Sequence, residues 1–430
     1  MSLSAGMTVW RSRLDISALI THFIHDRNPD NDPDWIYGEG EHIRFPYVHD
    51  CLKNSRFDDW YNRDKEYPIE PDGSALKVLL KIIDDGHIKS TWSFRNNLPT
   101  VYGPRSAVCF TEMPLYALIE YSRQRGDKSS VQPYGISIFK KDAFKAGARP
   151  VIYGLTNNHE ELAQNPATRG KAFKMWPRFL APSCGIAESE QYRYVRFSLT
   201  GKVFSDWTHE REWRWSDYRD QYSCPGLPLY LEDGQKFPII MIFVPTNAEA
   251  QQVLDRLKVH YDSGWDGSSN ELKKDNLLNT RVIALDQVPN RPTLRLEDLP
   301  MQHLLVMRHP KPSIELIEKA KMVFQKAEVA AQAAADLCYE IANKNPEGQV
   351  LDVCGFASLM ISEPQSELTA ALIQLDSIEP LGRLGYVFTN IKYKRPDQGL
   401  CIEEAAMQAA KEEFEKYFPN AQLWIRTRWD

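Results

Sequence analysis

The sequence predicts an α+β protein with a larger N-terminal domain on a mixed sheet and a smaller C-terminal α+β domain introduced by a long helix. Three observations carry that expectation. Short apolar, β-branched runs alternate with amphipathic helical runs over the first two thirds of the chain. A polar, proline-rich stretch at residues 289–312 then reads as a linker. Beyond it, a helical run of about 30 residues precedes strand, helix, strand, helix and strand signals. Domains are therefore expected at residues 1–288 and 313–430. With 430 residues, 43% of them hydrophobic, the chain carries enough apolar material for more than one core.

Taken in order, "ALITHFIH" (Ala18–His25) is apolar and β-branched, as a strand requires. "SALKVLLKIIDDG" sets Leu76, Leu79, Leu80 and Ile83 on one helical face, with Ser74 as N-cap and Gly86 as C-cap. "RSAVCFT" (Arg105–Thr111) reads as a strand, and "MPLYALIEYSRQRG" as a helix opened by Pro114 and closed by Gly126. "YGISIF" and "PVIYGL" are short strands around the helical "KKDAFKAG". A helical run broken by Pro166 and Gly170 follows, then the alternating "YRYVRFSL". "KFPIIMIFVP" (Lys236–Pro245) is continuously apolar, as in a central strand, and "NAEAQQVLDRLKVHY" is a capped helix. Past the linker, Ser313 caps the long helix, whose alanine stripe suits close packing. "VLDVCGFASLMI", "LGYVFTNIKY" and "AQLWIRTRW" are the C-terminal strands, separated by the helices "SELTAALIQL" and "CIEEAAMQAAKEEFEKYF".

The net charge of −6 argues against a surface that grips nucleic acid everywhere by counterion release, while leaving room for a local basic groove. Seven cysteines lie scattered, with no C-x-x-C, so neither a disulfide framework nor a zinc knuckle is expected, and a cytoplasmic location follows from reduced thiols. No run of about 18 apolar residues signals a membrane span. The start, "MSLSAGM", lacks the apolar segment of a signal peptide.

The stretch that invites chemistry is "THEREWRW", Thr208–Trp215. As a strand it would line Glu210, Glu212 and Arg214 along one face, neighbours about 6.5–7 Å apart. Two carboxylates so placed repel, and Arg214 stands where it can supply the compensating cation. The plainer reading is an edge strand guarded by charges. A metal-dependent nuclease using Glu210, Glu212 and Asp206 would need a further carboxylate cluster, which the sequence does not offer, so no metal is expected. "AVCFTEMPL" (Ala107–Leu115) meanwhile delivers Thr111 and Glu112 to a strand–helix junction, where N–H donors are left free for a ligand.

Read in order, "THF" (Thr21–Phe23), the L-x-x-I-x-x-x-G of Leu79–Gly86, "AVCFTEMPL", "YGISIFKKDAFKAGARPVIY" and E-x-E-W-R (Glu210–Arg214) resemble the AbiGi abortive-infection family of bacterial phage-resistance proteins. The resemblance spans Ser17–Arg214, and the layout is similar to a degenerate ADP-ribosyltransferase fold. It implies NAD as a substrate, with His22 on the adenosine ribose, Thr21 beside it, and Thr111 in the cofactor-binding set. Phe110 and Tyr134 would flank the nicotinamide. Glu212 would hold the nicotinamide-ribose hydroxyl and stabilise the oxocarbenium-like charge, and Glu210 would orient or deprotonate the acceptor. The fold's S-T-S strand is missing, with "CFT" (Cys109–Thr111) in its place, so the resemblance also implies an alternative: a non-catalytic binding or antitoxin module on the same fold. Expected partners are a macromolecular acceptor, protein or nucleic acid, and a cognate toxin or antitoxin, with no membrane.

Overall fold

Seven strands form the main sheet of the first unit, and all but one adjacent pair are antiparallel. The computed structural model describes residues 15–26, 73–91, 93–95, 98–103, 105–124, 132–154, 178–199, 205–217, 219, 221–266, 270–289, 295–389 and 391–429. In chain order the elements are β1 (Leu19–Ile24), α1 (Ala75–Asp85), β2 (His87–Lys89), β3 (Val108–Thr111), α2 (Leu115–Gln124), β4 (Tyr134–Phe139), α3 (Lys140–Lys145) and β5 (Arg149–Pro150). There follow β6 (Glu212–Trp215), β7 (Gly226–Pro228), β8 (Ile240–Val244), α4 (Asn247–Ser263), α5 (Lys274–Leu278) and β9 (Thr280–Ala284). The sheet order is β9-β8-β4-β1-β3-β6-β5; β8 and β9 are parallel, and β2 pairs with β7 apart from it.

The central strands are apolar because both of their faces are covered. Every residue of β8 is buried. One face carries Leu19, Met241, Phe243 and Ile283, which pack with Leu115 and Leu118 of α2 and with Leu296 and Leu299. Fully burying apolar side chains of this size stabilises by roughly 1.5–3 kcal/mol each. Caps follow the sequence with one change. Gly86 closes α1 in the left-handed region, its N–H donating to the Ile83 carbonyl. Ser74 sits at the N-cap without accepting a bond; Asp26 Oδ1 accepts the Ala75 N–H instead, at 2.8 Å. The buried face of α1 is Ala75, Leu79, Ile82 and Ile83, rotated slightly from the one expected.

Two expectations are corrected here. Within the expected linker, residues 289–312, the described residues 295–306 belong to the first unit: Leu296 and Leu299 enter its core, and Leu305 pairs with Val282. Their apolar side chains are few but close enough together to seat two 3₁₀ turns, Leu296–Asp298 and Met301–His303. The first unit ends at Val306, and the second consists of Gln252–Asn270 with Met307–Asp430. "YRYVRFSL" is a 3₁₀ turn through Arg193 and then a two-residue strand, Tyr194–Val195, parallel to Ile152–Tyr153. The helix expected across Pro166 and Gly170 lies outside the described residues.

In the second unit α6 (Ile314–Ile341) precedes β10 (Gly355–Ile361), α7 (Glu367–Gln374), β11 (Ile378–Pro380), β12 (Tyr386–Phe388), α8 (Leu400–Tyr417) and β13 (Leu423–Trp429). Ser313 Oγ accepts the Leu316 N–H at 3.1 Å, the cap that the sequence predicts. The four strands are antiparallel in the order β11-β12-β10-β13, a split βαβ arrangement. Ala320, Ala327, Ala331 and Ala335 let α6 approach α8, which offers Ile402, Ala406, Ala410 and Phe414. Among the described residues, no helix is long and apolar enough to cross a membrane.

Gly135 on β4 is held to glycine by close approach. A Cβ there would lie 2.5 Å from Phe243 Cζ and 2.9 Å from Thr21 Cγ2. Gly135→Val is expected to lower stability by about 1–3 kcal/mol through overpacking, read as a shifted denaturant midpoint. An unchanged midpoint would mean that Phe243 swings aside freely.

Candidate functional site

Thr208–Glu210 is a 3₁₀ turn, Arg211 takes a left-handed conformation (φ 46°), and strand β6 begins only at Glu212. The expected row of Glu210, Glu212 and Arg214 on one strand face is therefore corrected. The turn takes Glu210 off the strand, where it would have stood beside a second carboxylate. Several bonds hold this break: Arg211 O accepts the Glu112 N–H at 3.3 Å, and the Arg211 guanidinium donates to Asp15 O and Oδ2 at 2.7 and 2.9 Å. Thr111 Oγ1 donates to Glu210 O at 2.5 Å and accepts from Met113 N at 3.1 Å.

Glu212 and Arg214 do share a face. Arg214 Nε donates to Glu212 Oε1 at 2.7 Å and Nη2 to Oε2 at 3.2 Å, with both side chains nearly removed from water. Arg214 Nη1 donates to the carbonyls of Tyr192 and Tyr194, at 2.7 and 3.2 Å. Burial opposes the guanidinium's charge, but the Glu212 carboxylate and its hydrogen bonds hold the pKa above the ordinary value. Cross-strand from Arg214 lies Cys109, whose thiol pKa burial and the Glu212 charge push up, so it is no ready nucleophile. Burial likewise raises the Tyr153 phenol to about 12; its hydroxyl donates to Trp207 O at 3.1 Å.

Around this pair the turn exposes a small aromatic and acidic surface. Tyr121 of α2 donates to Glu210 Oε1 at 2.9 Å, and the rings of Tyr121 and Trp207 stand 6.0 and 6.1 Å from exposed His209. Behind it, Glu112 accepts from Lys140 Nζ at 2.7 Å and from Trp213 Nε1 at 3.0 Å. The sequence marks Glu112 only as a junction residue. Nothing local tells that Lys140, 28 positions away, and Trp213 would close on it.

The remaining expected site residues divide between the two faces of the sheet. Cross-strand partners share a face. The registers Thr21↔Thr111, Thr111↔Glu212 and Thr21↔Ser137 put Thr21, Thr111 and Glu212 on one side. By alternation His22, Phe110 and Tyr134 lie on the other, where the His22 ring meets Phe110 edge-on at 5.9 Å. So the structure brings Thr21, Thr111 and Glu212 to one face and does not bring His22 to them. Each is also engaged: Thr21 Oγ1 with Ser137 Oγ at 2.7 Å, His22 Nδ1 with Cys109 O at 2.9 Å, and Tyr134 OH with Glu249 Oε1 at 2.6 Å. Burial lowers the His22 pKa to about 4, and burial followed by the Glu249 bond raises that of Tyr134. Asp206 is half-buried and accepts from the Thr208 N–H and hydroxyl; among the described residues no cluster of His, Cys, Asp and Glu could hold a metal ion.

No protein-family model, curated protein or solved structure matches this chain.

The buried pair is testable as a unit. Glu212→Gln leaves the Arg214 charge uncompensated and is expected to cost about 3–5 kcal/mol, whereas Glu212→Leu with Arg214→Met recovers most of that loss; denaturant midpoints of the two variants decide. His22 predicts a pH effect. Its folded pKa of about 4 lies below the unfolded 6.5, so the unfolded chain takes up the proton first as pH falls. The stability that neutral His22 contributes is complete above pH 6.5 and is lost progressively as pH drops through 4. Unfolding measured from pH 7 to 4 in the wild type and in His22→Gln is expected to diverge in that window, with the wild type falling faster.

Proposed function

We propose that the first unit is a non-catalytic binding module of a bacterial phage-defence or toxin–antitoxin system, acting through a cognate partner. The observation that carries this reading is the Arg214 fork on Glu212. Both carboxylate oxygens are occupied by an internal guanidinium, so the group best placed to stabilise an oxocarbenium-like charge already has its cation. The placement of His22 and Glu212 on opposite faces supports the same reading, since one NAD molecule would have to meet both. The defence setting comes from the resemblance of Ser17–Arg214 to AbiGi proteins. The surface offered to a partner is the turn where exposed His209 stands beside the half-buried Trp207, Glu210 and Tyr121.

The rival reading, NAD-dependent ADP-ribosyl transfer with Glu212 as the essential carboxylate, separates cleanly in one assay. Nicotinamide release from NAD by the full chain is expected to stay at the background rate, and calorimetry is expected to give no heat of NAD binding that His22→Ala removes. Nicotinamide release above background by the wild type, abolished in a Glu212→Gln variant that remains folded at the assay temperature, would return the protein to the transferases.

A further inference from the structure

The sheet of the second unit turns one face to its helices and leaves part of the other open. Ala357, Leu359, Ile361 and Leu423 point into the helical core. The registers Phe356↔Arg428, Ser358↔Arg426 and Met360↔Trp424 set those six side chains on the opposite face. Met360 is buried there, but Phe356 is 41% exposed. The open end of the face is therefore an aromatic ring on β10 beside two arginines on β13.

These arginines are unusual in their surroundings. The chain is acidic, with a net charge of −6, yet among the described residues neither Arg426 nor Arg428 has a carboxylate partner. They stand at i and i+2 of one strand, about 6.5–7 Å apart, so they repel each other unless an anion lies across them. A third cation is built in. Arg395 reaches the ring from the loop before α8, its Cζ 5.4 Å from the Phe356 centroid, while Arg428 Cζ stands at 5.3 Å. Unlike the other two, Arg395 is held in place, by Glu403 Oε1 at 3.1 Å and by the carbonyls of Gly355, Asp397 and Gln398.

We infer that this face binds single-stranded nucleic acid, with a base taking the place of the Arg428 guanidinium over the Phe356 ring and backbone phosphates on Arg426 and Arg428. The ligand must be anionic at a spacing that two strand-borne arginines can follow, and must also present a flat π-face. A flexible single strand does both. A duplex keeps its bases stacked inside and cannot lay one on the ring. An acidic peptide would meet the arginines and leave the phenyl ring without a matching group. The inference concerns the second unit and stands apart from the reading of the first.

The test uses the full chain and fluorescence anisotropy with labelled oligouridylate and oligothymidylate of about twelve nucleotides. Binding is expected to weaken as salt rises. Arg426→Gln with Arg428→Gln should weaken it about tenfold or more and reduce the slope of log affinity against log salt by about 1.4, two counterions at about 0.7 each. Phe356→Leu should weaken binding severalfold with the salt slope unchanged, a split that a merely electrostatic surface would not give. Arg428 is exposed and Arg426 half-buried, and neither belongs to the helical core, so the double variant decides the matter even where Phe356→Leu lowers the melting temperature. No binding by the wild type, equal binding by the double variant, a duplex that binds as tightly as the single strand, or displacement by polyglutamate more effectively than by unlabelled single strand would overturn the inference.

Discussion

The N-terminal unit is organised around one buried guanidinium. Arg214 lies on β6, next to the edge of the main sheet, almost out of contact with water. A charge so placed is tolerated only if a counter-ion and enough acceptors surround it. Glu212 supplies the counter-ion, and the Tyr192 and Tyr194 carbonyls supply further acceptors, which ties the Glu188–Arg193 turn and its short parallel pairing to the sheet. Much of what is distinctive nearby follows from that requirement. Glu212 cannot leave the pair cheaply, the Cys109 thiol beside it is kept protonated, and β6 must start at Glu212 so that this side chain and Arg214 share a face.

A second constraint is parity. Strand residues one position apart face opposite ways, so Thr21 and His22 cannot serve one ligand held on one face of the sheet. Thr21 closes with Ser137 beneath α2, and His22 stands against Phe110 on the far side. Desolvation of each is offset by a local bond, which makes these residues parts of the fold's internal wiring. Thr208 and His209 are exposed, because a 3₁₀ turn ended by a left-handed residue projects outward where a continued strand would have packed.

The second unit solves a different problem. Its long helix carries alanine where α8 must come near, and the four strands cover that helical layer from one side. The sheet's other face needs no apolar filling at its β13 end. Arginines and a phenyl ring can therefore stand there without cost to the core, and charges on the edge strand β13 also guard against pairing with other chains.

Periodicity and turn chemistry alone determined the α+β class, most strands and helices, the Ser313 cap, the alanine stripe and the pairing of Arg214 with a neighbouring glutamate. All of these depend on residues within a few positions of one another. Only the tertiary structure decided which face each strand residue takes, because facing depends on registers such as Thr21↔Thr111, joined across 90 positions. It also decided where β6 begins, since the break at Arg211 depends on Asp15 and Thr111, and it drew Leu296 and Leu299 out of an apparent linker into a core. The E-x-E of the sequence was legible as a charge pair in need of a cation. That the cation serves Glu212 alone, and that Glu210 turns to Tyr121, is set by contacts which a linear pattern does not encode.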